Sequence, residues 1–394
     1  MSAGPVAAEG RVATVQRQTR ATFALVGIFA LAALAAVVVP HRTGRWLPLH
    51  LFLAGALLLA ISGAAQLFAV TWAAGPPPSA RLAAAQRGLL AAGAAGVAFG
   101  RELRAPDVVT GAAGGAVVAA LALLAVMLWQ TVSHGVQRRF DPSLRAYLAA
   151  LGLGVIGCSL GVALVTGHAG SAEERIRSAH LTLNLLGLLG IVIAGTLPFF
   201  AATEARVKMS RRATTRTQTG VLLWLALATV VAAVGLLADS APIATVGLVF
   251  YVTGIAGVVA LLPGVGRKQL RWGGPRLLQL GAGIGWWAGA VAAAAWQTAR
   301  GAEPFGGPAL LVLVVGGYAQ ILVAALAYLV PVLRGGGHER LTAGFRLTRS
   351  WIGLLAANAA AVAIVLDVPT VAIAAAALWA FDTAVREAML LAAP

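Results

Sequence analysis

The sequence predicts an all-α, polytopic integral membrane bundle of about twelve transmembrane helices. Three observations carry that expectation. Hydrophobic residues make up 60% of the 394-residue chain and charged residues 11%, against about 45–50% and about 25% in soluble domains. The apolar residues gather in runs close to the length that crosses a bilayer core. Basic residues alternate between the loops in the way that sets membrane topology. An ordinary soluble enzyme is excluded, because too little polar surface exists to make a water-facing shell.

The runs are 22–40, 47–73, 82–100, 108–132, 146–166, 179–200, 220–238, 243–262, 277–299, 309–332, 351–366 and 369–391. The first is too long for a signal-peptide core and meets no small-residue cleavage site. Residues 1–21, with Arg11, Arg17 and Arg20, therefore read as a cytoplasmic tail, and 22–391 as one transmembrane domain. The third run contains Arg87, near enough to its inner end to snorkel. The last carries Asp382, Arg386 and Glu387 toward its end.

With the N-terminus inside, the inner segments hold 21 basic residues and the outer loops 7, Arg87 making up the 29. That asymmetry has the expected sign and places both termini in the cytoplasm of a multi-pass inner-membrane protein. The net charge of +16 would suggest nucleic acid in a soluble protein. Here it sits in the loops, so the lipid bilayer is the expected partner and nucleic acid is not. The most basic loop, from Arg206 to Arg216, faces the cytoplasm in this scheme. Trp46, Trp72, Trp129, Trp272 and Trp351 fall near helix ends, where interface anchors belong. Cys158 is the only cysteine, which excludes a disulfide or a cysteine-based metal site within the chain.

Two stretches look duplicated. HLFLAGALLLAISG from His50 resembles HLTLNLLGLLGIVIAG from His180, and VTGAAG from Val109 resembles VTGIAG from Val252. In each case the helices are four apart. One reading is three repeats of four helices, 22–132, 146–262 and 277–391, the third counterpart falling near Leu310 without a histidine. The other is chance likeness in a chain rich in Ala, Leu and Gly.

Ionisable groups in lipid are functional candidates because leaving them unpaired costs free energy. His41, His134, His168 and His338 lie at helix ends or in loops and read as solvated. His50 and His180 share a depth and a direction near the outer ends of their helices. Two imidazoles from separate helices can ligate haem iron or part of a copper site; the plainer reading is a hydrogen bond from each to a loop carbonyl. Asn184, one turn below His180, either orients that imidazole or makes an interhelical hydrogen bond. Tyr318, Gln320 and Asn358 lie at mid-depth and either line a polar cavity or hold helices together. Asp382 and Arg386, four apart, form an ion pair at a helix end or part of a proton relay. No Walker loop, nucleophile elbow, HExxH or CxxC motif is present.

The stretches HLTLNLLGLLGIVIAGTLPFF, LFLAGALLLAISGAAQLFAVTW and GYAQILVAALAYLVPVLRGGG resemble the membrane module of actinobacterial copper-oxidase-like and copper nitrite-reductase-like proteins. More distantly they are similar to the NnrS family and to the twelve-helix haem-copper oxidases. The resemblance implies a haem- or copper-linked redox role at the outer membrane face. It implies haem ligation for His50, and copper ligation for His180 by helix number and depth. Helices seven and ten lack the family's other histidines, and the accompanying cupredoxin domain is missing. A complete oxygen-reducing centre therefore does not fit: either the site is reduced, or a haem or copper partner protein completes it. Two other functions stay open. One is a non-catalytic membrane subunit or assembly factor. The other is a small-solute transporter, although AAGPPPSARL stands where the major facilitator class carries its basic loop.

Overall fold

The computed structural model describes residues 5–335 and 337–392, so the first four residues of the expected tail lie outside the described residues. It is 84% helical, and no strand occurs among the described residues. Helix α1 runs Pro5–Val38, so the expected tail is helical from residue 5 onward. Then follow α2 (Trp46–Ala73), α3 (Ala80–Glu102), α4 (Asp107–Ser133), α5 (Asp141–Val165), α6 (Gly170–Glu204), α7 (Thr215–Leu237), α8 (Ala241–Ala260), α9 (Pro275–Ala299) and α10 (Pro308–Arg334). The chain continues through α11 (Gly337–Leu347), α12 (Trp351–Val365) and α13 (Pro369–Ala392).

Local chemistry explains many of these ends. Proline opens α5, α9 and α10, where its missing N–H has no partner to lose. The side chains of Ser79 and Ser350 cap α3 and α12 by accepting from Leu82 N (3.2 Å) and Gly353 N (2.8 Å). Single residues in the left-handed region, Ala74, Arg104, Arg206, Asp239 and Asp367, follow the C-termini of α2, α3, α6, α7 and α12.

Among the described residues ten helices, α1 to α10, are long and apolar enough to cross a membrane; α11 with α12, bent by 42° at their junction, makes an eleventh if counted as one span. The twelfth expected run is helical as α13 but falls outside that set. Large apolar side chains stand outward along the spans, Ile28 and Leu31 of α1 and Leu355 of α12 among them. That pattern suits a lipid surround and not water.

The helices fall into two compact units. The first comprises the chain up to Gly195 together with Thr215–Ser240. Within it, α2, α3 and α4 are held by a buried polar chain: Gln66 donates to Ser62 (3.2 Å), Ser62 to Gln86 (2.9 Å), and Gln86 to the carbonyl of Ala120 (3.2 Å). Such bonds hold helices together where lipid offers no hydrophobic drive. Trp72 is a correction to the expected interface anchors. It is buried and stacks between Phe68 (centroids 4.4 Å) and Phe140 (4.6 Å), so it packs the unit rather than marking the headgroups. Trp129 and Trp351 are exposed, as anchors should be.

The second unit comprises 196–214 and the chain from Ala241 onward. A cluster of Ala356, Ala357 and Trp379 forms part of its core. Arg386 of α13 grips Asp382 (Nε to oxygens 3.0 and 3.1 Å) and donates through one terminal nitrogen to the carbonyls of Leu347 (3.0 Å) and Arg349 (2.9 Å). The pair is thus a structural tie at a helix end.

One backbone feature recurs. A π-helical stretch occupies Leu51–Leu57 of α2, Leu183–Gly190 of α6 and Val312–Ala319 of α10. These helices are four apart, and the third stretch begins beside Leu310, where the repeat reading placed its counterpart. Their apolar windows are 78%, 89% and 56% buried, the highest among the ten spans. A π-turn takes in one extra residue and rotates the helix face after it. In α2 and α10 the widened turns lie near the helix start, and in α6 they begin thirteen residues in; in α2 and α6 they come just after His50 and His180.

Candidate functional site

His50 closes the turn Trp46–His50 and leads into the first π stretch. Its Nδ1 lies 2.9 Å from the carbonyl oxygen of Trp46, and its ring stacks on that indole at 3.8 Å. The Arg101 guanidinium stands 4.9 Å from the same indole. A carbonyl can only accept, so Nδ1 carries the proton. In the neutral ring Nε2 then keeps its lone pair.

His180 lies just before the second π stretch and reaches across to α5. Its Nδ1 is 2.7 Å from the carbonyl oxygen of Gly157, which assigns the same tautomer. Asn184 donates to the His180 carbonyl (2.8 Å), and its Oδ1 accepts from Cys158 (3.3 Å). Its Nδ2 is also 3.2 Å from His180 Nδ1, but that nitrogen is already committed as a donor. Asn184 therefore lies against the imidazole and also bonds between helices.

The seat for these two residues is a pair of glycines. A Cβ at Gly157 would come within 2.7 Å of the Asn184 amide nitrogen, and one at Gly161 within 2.7 Å of His180 Cε1. Gly157-Cys-Ser-Leu-Gly161 is a GxxxG motif, the usual signature of close helix approach in membranes. Sequence reasoning passed over it, and it was the available signal for His180's neighbour.

His50 and His180 belong to the same unit. No hydrogen bond engages Nε2 of either ring among the described residues. Nor, among the described residues, does any group of three or more His, Cys, Asp or Glu side chains gather as metal ligands would.

The remaining histidines behave as solvated groups. His134 and His168 are exposed and bond locally, to Gln130 O (2.8 Å) and Thr166 Oγ1 (2.8 Å). His41, in the loop between α1 and α2, places Nδ1 2.9 Å from Val39 O and Nε2 2.6 Å from Gly44 O. Two acceptors require two ring protons, and those carbonyls, with Glu102 nearby, hold its pKa above the ordinary imidazole value.

In the second unit the structure brings Gln320 and Asn358 together. Asn358 donates to Gln320 (3.4 Å) and to Leu354 O (2.8 Å), and accepts from the Trp286 indole (2.8 Å). Tyr318 is fully buried against Trp287, ring centroids 6.1 Å apart, with Tyr251 on the same indole at 6.0 Å. Gln320 and Asn358 thus share one hydrogen-bonded contact, while Tyr318 belongs to an aromatic cluster. No protein-family model matches this chain, and no curated protein matches it.

Proposed function

We propose that this membrane-spanning bundle has a haem- or copper-linked redox role, with Nε2 of His50 and of His180 as the ligands. One observation carries the reading: both imidazoles are fixed through Nδ1 on backbone carbonyls, leaving the other nitrogen free to ligate. That is the arrangement metal-binding histidines use, the bonded nitrogen setting tautomer and ring direction. Asn184 and the Gly157–Gly161 seat support it by fixing where His180 lies.

The donor set suits some centres and not others. Two neutral imidazoles fit haem iron, whose remaining ligands come from the porphyrin, or a copper site completed by a partner protein. A closed tetrahedral zinc site needs four protein ligands and does not fit. Bound haem or copper supplies one-electron chemistry. The chain's own contribution is to hold two ring nitrogens, keep their tautomer and shield the site within the bundle. In this reading the end of α2 and α6 that carries the histidines faces the outer side of the inner membrane.

The test is an absorption spectrum of the detergent-purified full chain, oxidised and dithionite-reduced, with metal analysis. Cells should be supplied with haem precursor and copper. A Soret band or stoichiometric copper, lost in the His50→Ala/His180→Ala double variant, is expected. Folded protein with neither chromophore nor copper would overturn the reading.

A further inference from the structure

A second cluster lies in the other unit. Arg276, second residue of α9, is 3% exposed. Its Nε lies 4.0 Å from Glu204 Oε2, beyond hydrogen-bonding range, and neither Nε nor Nη1 has a hydrogen-bond partner among the described residues. One turn along, Gln279 Nε2 is in the same condition. Arg349, in the break between α11 and α12, passes within about 4 Å of where a Cβ would stand on Gly274, the residue before α9; its Nε and Nη2 are also unpartnered among the described residues. Arg349 and the exposed Arg206 both lie over the Trp272 ring, at 4.9 and 3.3 Å from its centroid. Arg206, Arg276 and Arg346 all act electrostatically on Arg349.

Three guanidiniums with one carboxylate is an unbalanced arrangement in a partly dry place. A water between Arg276 and Glu204 would satisfy that pair and still leave Arg276 Nη1 and two Arg349 nitrogens without acceptors. Arginine forks match tetrahedral oxyanions, and a helix N-terminus adds its positive end. We infer that Arg206, Arg276 and Arg349, with Gln279, bind a phosphate-type oxyanion at the start of α9. Trp272 holds the two outer guanidiniums in place through cation–π contact. The site lies where spans end, so the phosphate can come from an anionic lipid or from a free phosphate.

The test uses the full chain in phosphatidylcholine nanodiscs. Inorganic phosphate is titrated against chloride at matched ionic strength, and parallel discs contain phosphatidylglycerol. A saturable rise in melting temperature with phosphate alone identifies a free oxyanion. A rise in phosphatidylglycerol discs that removes the phosphate response, with the lipid retained in native mass spectra, identifies the headgroup. Arg349→Gln, partly exposed and expected to fold, weakens the response about tenfold. Arg276→Gln does the same if it folds. The inference is overturned if neither phosphate source raises the midpoint above chloride, or if Arg349→Gln leaves the response unchanged.

Discussion

The imidazole of His180 lies over Gly161 so closely that a single added carbon would come within 2.7 Å of the ring's Cε1. The candidate site therefore depends on a residue with no side chain, on the neighbouring helix.

Gly161→Ala should displace His180 or open the α5–α6 contact. Overpacking of this kind costs about 1–3 kcal/mol. Gly152→Ala, on the same helix with nothing within 4 Å, is the control and should be neutral or slightly stabilising. Thermal melting of both variants in the same detergent checks this. Equal midpoints would mean that the seat is not tight.

Asn184→Leu removes the bond to the His180 carbonyl and the acceptor for Cys158. In membrane bundles such bonds are worth about 0.6 kcal/mol on average, so stability should fall only modestly. Affinity for a haem or copper centre should fall more, about 10–100-fold. A titration of the apoprotein that shows matching small losses in both would argue against an orienting role.

Asn358→Leu orphans the Trp286 indole N–H and breaks the link to Gln320. The expected loss is about 1 kcal/mol of stability. Ligation at His50 and His180 should be untouched. A change in the absorption spectrum of this variant would contradict that separation.

His41 gives a pH dependence with a defined sign. Its folded pKa is raised by the Val39 and Gly44 carbonyls, so the folded state holds its proton longer than the unfolded state. The stabilisation is fully present below the ordinary imidazole pKa. It fades as pH rises through the folded value. Melting curves of His41→Gln against the parent should converge above that window and separate below it. Separation that grows with rising pH would reverse the assignment.

Much of the architecture was legible because lipid enforces it. Twenty-residue apolar runs have few alternatives to helix, and the segment ends carry proline, serine and left-handed residues. The last two runs were harder. The run 351–366 is one helix, but a further short helix, Gly337–Leu347, precedes it at a bend, and the charges of α13 blur the line between a span and a surface helix. The π stretches left only a weak trace, since a widened turn changes backbone bonding without changing composition. His50 and His180 could be nominated from depth and direction. The carbonyls they bond could not: the Gly157 acceptor comes from a different helix, and Trp46 bonds His50 only through the local turn. The Arg276–Glu204 approach was equally invisible, because it joins residues 72 positions apart at two helix ends.

The grip of Arg386 on the carbonyls of Leu347 and Arg349 has a mechanical meaning. Those two oxygens lie at the end of α11 and in the bend that follows it, so the final helix acts as a splint on a hinge it does not belong to. A chain stopped before Pro369 would keep every earlier element yet lose that brace. Protease nicking around 348–350 should then appear where the full-length protein resists it.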